Sequence, residues 1–136
     1  MNKAEVVAQT QTKTQSTPTR TTRRYVPLET VSAIMVSDDN LLAYGVVSNI
    51  SESGACLIAN TSIEPSHKVR IQFIKSDRTE LFQTNARIVW SGEGIDPQME
   101  IVGTMVGIAF EGLTAKRREA IAAILDQGSF HEIGGS

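Results

Sequence analysis

The spacing of the apolar side chains is the strongest constraint on this chain. Phe82, Thr84, Ala86, Ile88 and Trp90 share one side of a run whose other side is Gln83, Asn85 and Arg87. Successive side chains of a strand point to opposite faces, so this period of two predicts a strand with one dry face and one wet face. Val69, Ile71 and Phe73 alternate in the same way with Arg70 and Gln72. Val31, Ala33 and Met35 alternate with Ser32, Ile34 and Val36, and the turn residues Asp38-Asp39-Asn40 separate them from a second strand over Leu42 to Ile50. Ala55 to Ala59 reads as a third strand. Gly92-Glu93-Gly94 with Pro97 predicts a loop. Val106, Ile108 and Phe110 mark a last strand, with a short one before it near Glu100 to Val102.

The period lengthens only near the end. Arg117, Ala120, Ile121, Ile124 and Leu125 recur at helical spacing, while Lys116, Arg118 and Glu119 face solvent. Thr114 fits the N-cap, and Gly128 fits the residue just past the helix. Six or seven short antiparallel strands followed by one helix predict a mainly β fold, a small closed barrel with the helix packed on it.

Length and composition narrow the function classes. The 136 residues allow one domain with a modest core. Thirteen basic side chains against fifteen acidic ones leave a formal charge of −2. That balance argues against a protein that coats duplex DNA or an anionic membrane, since both need a positive excess. The single cysteine, Cys56, can form neither an internal disulfide nor a zinc site, and a small buried side chain is the expected role. There is no apolar run long enough for a spanning helix and no apolar core of the signal-peptide kind, so the expectation is a soluble cytoplasmic protein.

Residues 1–19 are rich in Thr and Gln and nearly lack large apolar groups. Such a stretch cannot bury enough surface to offset its ordering entropy, and it predicts a flexible tail. It leads directly into Arg20-Thr21-Thr22-Arg23-Arg24. Downstream lies the polar bend Asn49-Ile50-Ser51-Glu52-Ser53-Gly54. The two read as RxxxR followed by NxSxxG. Two arginines so spaced occur by chance in many chains, and a bend of Asn, Ser and Gly is ordinary hairpin chemistry. In this order, ahead of a strand-rich sequence, the combination resembles the PilZ family of β-barrel receptors for the bacterial second messenger cyclic di-GMP. The segment Gly107-Ile108-Ala109-Phe110 before a helix is similar to the family's last strand. The resemblance covers roughly Arg20 to Leu125 and gives a domain over 20–127, with a short C-terminal tail over 128–136.

The resemblance implies a site. Arg20 and Arg24 correspond to the motif arginines, which clamp guanine and phosphate, and Arg23 adds a further positive charge. The chemistry suits arginine. Its planar fork can donate to guanine O6 and N7 together or to phosphate oxygens, and its flat face stacks on a purine. Asn49 stands where many relatives carry Asp and supplies one acceptor for the guanine donors. Ser51 can reach a guanine edge or a phosphate, and Gly54 is expected to take a backbone angle that a side chain would resist. Trp90 is expected in the core, with stacking at the nucleotide site as the alternative. His67 and His131 belong to no metal or catalytic pattern, and no phosphate loop, nucleophile elbow or HExxH is present, so neither an enzyme nor a cofactor is expected.

Three functions emerge, in order. The first is a receptor that binds cyclic di-GMP without turning it over and relays occupancy to an unidentified effector protein or through the tail. A ligand touching both motifs would draw the arginine segment onto the barrel. The second is a PilZ-like protein-interaction module that binds no nucleotide. The third, a barrel for single-stranded nucleic acid, would need aromatic platforms and a basic groove, which a slightly acidic chain with 5% aromatics does not offer.

Overall fold

Two aspartates make the first hairpin possible. In the computed structural model, which describes residues 23–96 and 101–133, Asp38 and Asp39 have φ of 52° and 65°. They form the two-residue turn between β2 (Val31–Ser37) and β3 (Asn40–Ile50), with Ser37 opposite Asn40. Positive φ at both central positions matches the turn to the strands' right-handed twist, and Asp tolerates that conformation better than most residues.

The chain continues through β4 (Gly54–Ala59), β5 (Lys68–Lys75), β6 (Glu80–Asp96) and β7 (Ile101–Phe110). The strands pair in the order β2-β5-β6-β7-β4-β3, and β3 returns to β2, closing a six-stranded antiparallel barrel. Closure leaves the barrel without an open edge, and every strand then has one face committed to the interior. Val31, Ala33, Met35, Val47, Leu57, Ile71, Phe73, Phe82, Ile88 and Val106 fill it. The rings of Phe73, Phe82 and Phe110 meet there, with centroids 4.9–5.9 Å apart.

Two predictions from spacing alone give way. Gly92, Glu93 and Gly94 are not a loop. They continue β6 opposite Met105, Thr104 and Gly103, because β7 runs unbroken from Ile101 and carries its partner past the barrel. The separate short strand near residues 100–102 is therefore the start of β7. Pro97 and Glu100 lie outside the described residues, as do residues 1–19.

Helix α1 (Ala115–Leu125) forms as expected. The Thr114 hydroxyl accepts from the Arg117 N–H at 3.0 Å. Ile121 and Leu125 are fully buried in the barrel's core cluster, but Ala120 is exposed. The helix is capped at its C-terminus by Asp126, and Gly128 takes a left-handed φ of 94° two residues further on. The chain then does something its composition does not announce. Residues 130–133, expected within a tail, form β8 (Phe130–Ile133), which pairs with β1 (Arg24–Pro27). No helix among the described residues is long and apolar enough to cross a membrane.

Removing the Thr114 hydroxyl should cost about 1 kcal/mol. Thr114→Ala is expected to lower the thermal midpoint by roughly 3–5 °C in a domain of this size. An unchanged melt would show that the cap is idle.

Candidate functional site

Two bulges aim the site. In β3 the inward residues are Ala43 and Val47, both buried, so strict alternation would turn Asn49 inward as well. The register with β4 slips between Val47 and Asn49. Ser48 is the extra residue, and it is buried beside Val47. The added residue reverses the facing of the strand beyond it, so Ile50 points into the core and Asn49 points out. The register of β6 slips in the same way between Ile88 and Trp90. Ile88 is fully buried, whereas Trp90 is 45% exposed. Core packing was the first expectation for Trp90, and the bulge overturns it.

The outward residues now align across four strands. Asn49 lies opposite Cys56, Cys56 opposite Gly107, and Gly107 opposite Trp90. The indole lies directly over Gly107, where a Cβ would fall 2.2 Å from its Nε1. Glycine is what allows the ring to lie flat there. Cys56 is half-buried in this row, not enclosed in the core as expected, and it lines a pocket of about 210 Å³ with Arg24, Val89, Trp90 and Gly107.

Arg24 closes the site from β1. Its guanidinium donates from Nη2 to Asn49 Oδ1 at 2.5 Å and from Nη1 to Ser51 Oγ at 3.4 Å. The arginine of the first motif and the bend of the second therefore touch. Ser51 is fully buried, and its hydroxyl also serves the bend itself. It accepts from the Ser53 N–H at 3.2 Å and donates to the Gly54 carbonyl at 3.3 Å. Ser51 thus shapes the bend from beneath. Gly54 does not have the left-handed backbone expected of it. Its need for glycine is steric, because a Cβ would stand 2.3 Å from the Ile108 carbonyl oxygen of the neighbouring strand.

Arg23 turns the other way. It is exposed, and its Nε lies 3.6 Å from Glu132 of β8. The Tyr25 hydroxyl, and then Glu132, raise its guanidinium above the usual arginine value. Arg20 lies outside the described residues. Between Arg23 and the helix end, the Tyr25 ring is buried and its hydroxyl donates to Asp126 Oδ1 at 2.7 Å. Burial first, and the Asp126 bond second, push the phenol up from its ordinary value.

A larger concavity, about 850 Å³, lies elsewhere on the barrel. It is lined by Asp38, Asp39, Lys68, Arg70 and Glu111 among others. It is wide, charges of both signs line it, and neither motif contributes to it. The smaller pocket beside Trp90 is lined by Arg24, the arginine that also touches the bend.

The PilZ domain profile matches residues 18–127. The chain belongs to the PilZ family. Among solved structures, this PilZ fold is similar to the "PilZ domain with c-di-GMP of YcgR from Escherichia coli", with a TM-score of 0.61 at 16% identity over 77% of this chain and 87% of that one. It is also similar to the Bacillus subtilis inhibitor of motility MotI/DgrA, with a TM-score of 0.53 at 15% identity over 76% of this chain. The match spans 47% of the MotI/DgrA chain, about half its length. No curated protein sequence matches the chain.

Gly54→Ala is expected to destabilise the PilZ barrel by about 1–3 kcal/mol, the usual cost of overpacking. Gly92→Ala, where a Cβ meets nothing within 4 Å, is the control and should melt near the parent. Equal melts for both variants would contradict the steric account.

The raised phenol of Tyr25 also has a pH signature. A folded-state pKa above the unfolded value of about 10 contributes stability below pH 10, and this is lost as pH rises through the folded value. The stability advantage of the parent over Tyr25→Phe should therefore shrink above about pH 10 in denaturant titrations. A difference that stays constant as the pH is taken from neutral past that point would contradict it.

Proposed function

We propose that this PilZ chain is a non-catalytic receptor for cyclic di-GMP that passes its occupancy to a protein partner. The observation that carries the reading is the contact of Arg24 with Asn49, beside the exposed face of Trp90. PilZ domains generally bind this messenger, and the YcgR domain named above was solved with it.

The chemistry fits a purine. Arg24 spends one N–H on Asn49 and a second, at longer range, on Ser51, and keeps its flat face and remaining donors for guanine O6 and N7 or a phosphate. The Trp90 indole offers a surface on which a base stacks, a contact worth about 1–3 kcal/mol per base. The pocket is smaller than the roughly 300 Å³ usual for a whole drug-sized ligand. It would hold one base, with the rest of the dinucleotide crossing its rim. Arg24 already belongs to a strand, so the ligand would meet it in place. A base stacked on Trp90, next to the exposed Val89, is what an effector protein would read. A second-messenger receptor of this kind belongs in the cytoplasm.

Calorimetric titration with cyclic di-GMP tests the reading. A micromolar dissociation constant corresponds to about −8 kcal/mol. Arg24→Ala should lose about 1.5–3 kcal/mol, ten- to a hundredfold in affinity, as a charge-assisted contact does. Trp90 is the only tryptophan, so its fluorescence should change in the same titration. An unaltered isotherm in Arg24→Ala would place the site elsewhere. No binding heat in the parent would favour the nucleotide-free interaction module.

A further inference from the structure

The strand that carries Arg24 takes most of its backbone pairing from the chain's last strand and little from the barrel it serves. Among the described residues, β1 shares one residue pair with β3, Tyr25 with Ile50. It shares four with β8, namely Arg24 with Ile133, Tyr25 with Glu132, Val26 with His131 and Pro27 with Phe130. The Leu28 N–H extends the union by donating to the Ser129 carbonyl at 2.9 Å. Glu132 adds the ion pair to Arg23, and Phe130 is buried at the base of β8. β8 itself lies beyond residue 127, where the family match ends.

We propose that β8 is the positioning element for the arginine strand, holding Arg24 over Asn49 before any ligand arrives. This rests on the receptor reading above. The reason is entropic. Fixing a residue's backbone costs about 1–2 kcal/mol, and a four-residue strand held on the barrel by one backbone pair, the Tyr25 ring and the Arg24 side chain lacks the pairing along its length that offsets this cost. β8 supplies the remaining pairs and is itself anchored by Phe130 and by the helix that precedes it. A ligand that meets an already placed guanidinium does not have to order it, and its affinity is higher by that amount. Glu132 has a second effect. It draws Arg23 toward β8 and so divides the labour of the adjacent arginines, with Arg24 on the bend and Arg23 held at the edge.

The test is a chain ending at Phe130, which keeps the buried ring and loses three of the four pairs with β1. Without ligand, the amides of Tyr25 and Val26 should exchange at least tenfold faster than in the parent, while those of the barrel strands stay as they were. Affinity for cyclic di-GMP should fall about tenfold. Arg24→Ala should then cost less in the shortened chain than in the parent, since the two changes act on one contact. Glu132→Gln, at a half-exposed position, leaves the backbone intact and should quicken exchange at Arg24 and Tyr25 by about two- to fivefold, the range of an exposed ion pair.

Unchanged exchange at Tyr25 and Val26 in the shortened chain would overturn the proposal. So would faster exchange with full affinity. If the shortened chain fails to fold, unchanged exchange in Glu132→Gln decides against it. A parent that takes up no cyclic di-GMP would end the receptor reading, and the exchange comparison would still decide whether β8 pins β1.

Discussion

A closed barrel of six strands leaves no choice about which side chains face inward. Its interior is filled by alternate residues of every strand, and any group that is to meet a ligand must stand on the other set. The two bulges are how this chain meets that constraint at one place. Ser48 in β3 and the slip after Ile88 in β6 each add one residue, and each reverses the facing of the strand beyond it. Without the first, Asn49 would point into an apolar core that cannot satisfy its amide. Without the second, Trp90 would be packed away. The outward row Asn49-Cys56-Gly107-Trp90 exists because both bulges occur at the same end of the barrel.

On that row the polar contacts are few and close. Arg24 is held by the Asn49 oxygen, and the bend that follows Asn49 is shaped by Ser51. Gly54 and Gly107 matter for space. One lets two strands approach at the bend, and the other lets an indole lie flat on the sheet. The arrangement is a rigid platform with one cation, reached from a separate strand. It suits a ligand with a flat ring and an anionic tail.

Much of this was legible in the sequence. Period-two alternation located the strands because each has a dry face, and Thr114 located the helix start because its hydroxyl is the partner the Arg117 N–H has there. The pairing of Arg24 with the Asn49 bend was legible as a motif, although nothing local states that residues 25 apart in sequence will touch. What could not be read were the events that break alternation. A bulge leaves no mark in residue type, so Trp90 counted as a core residue. Cys56 counted as enclosed from its apolar neighbours, although plain alternation with Ala55 and Leu57 turns it outward. The Gly92-Glu93-Gly94 segment looks like a loop because its strand character comes from β7 beside it and not from its own side chains. β8 escaped for the same reason. Its four residues carry no clear period, and only the open side of β1 makes them a strand.

The central claim is that cyclic di-GMP meets the chain on the outward row under Arg24. Amide and indole chemical shifts of the isotope-labelled protein, followed as the dinucleotide is added, test it most directly. The largest changes should fall on Arg24, Asn49, Cys56, Gly107 and the Trp90 Nε1–H, with the wide concavity around Lys68 and Arg70 unmoved. Changes gathered around Lys68 and Arg70, with the Trp90 indole left where it was, would contradict it.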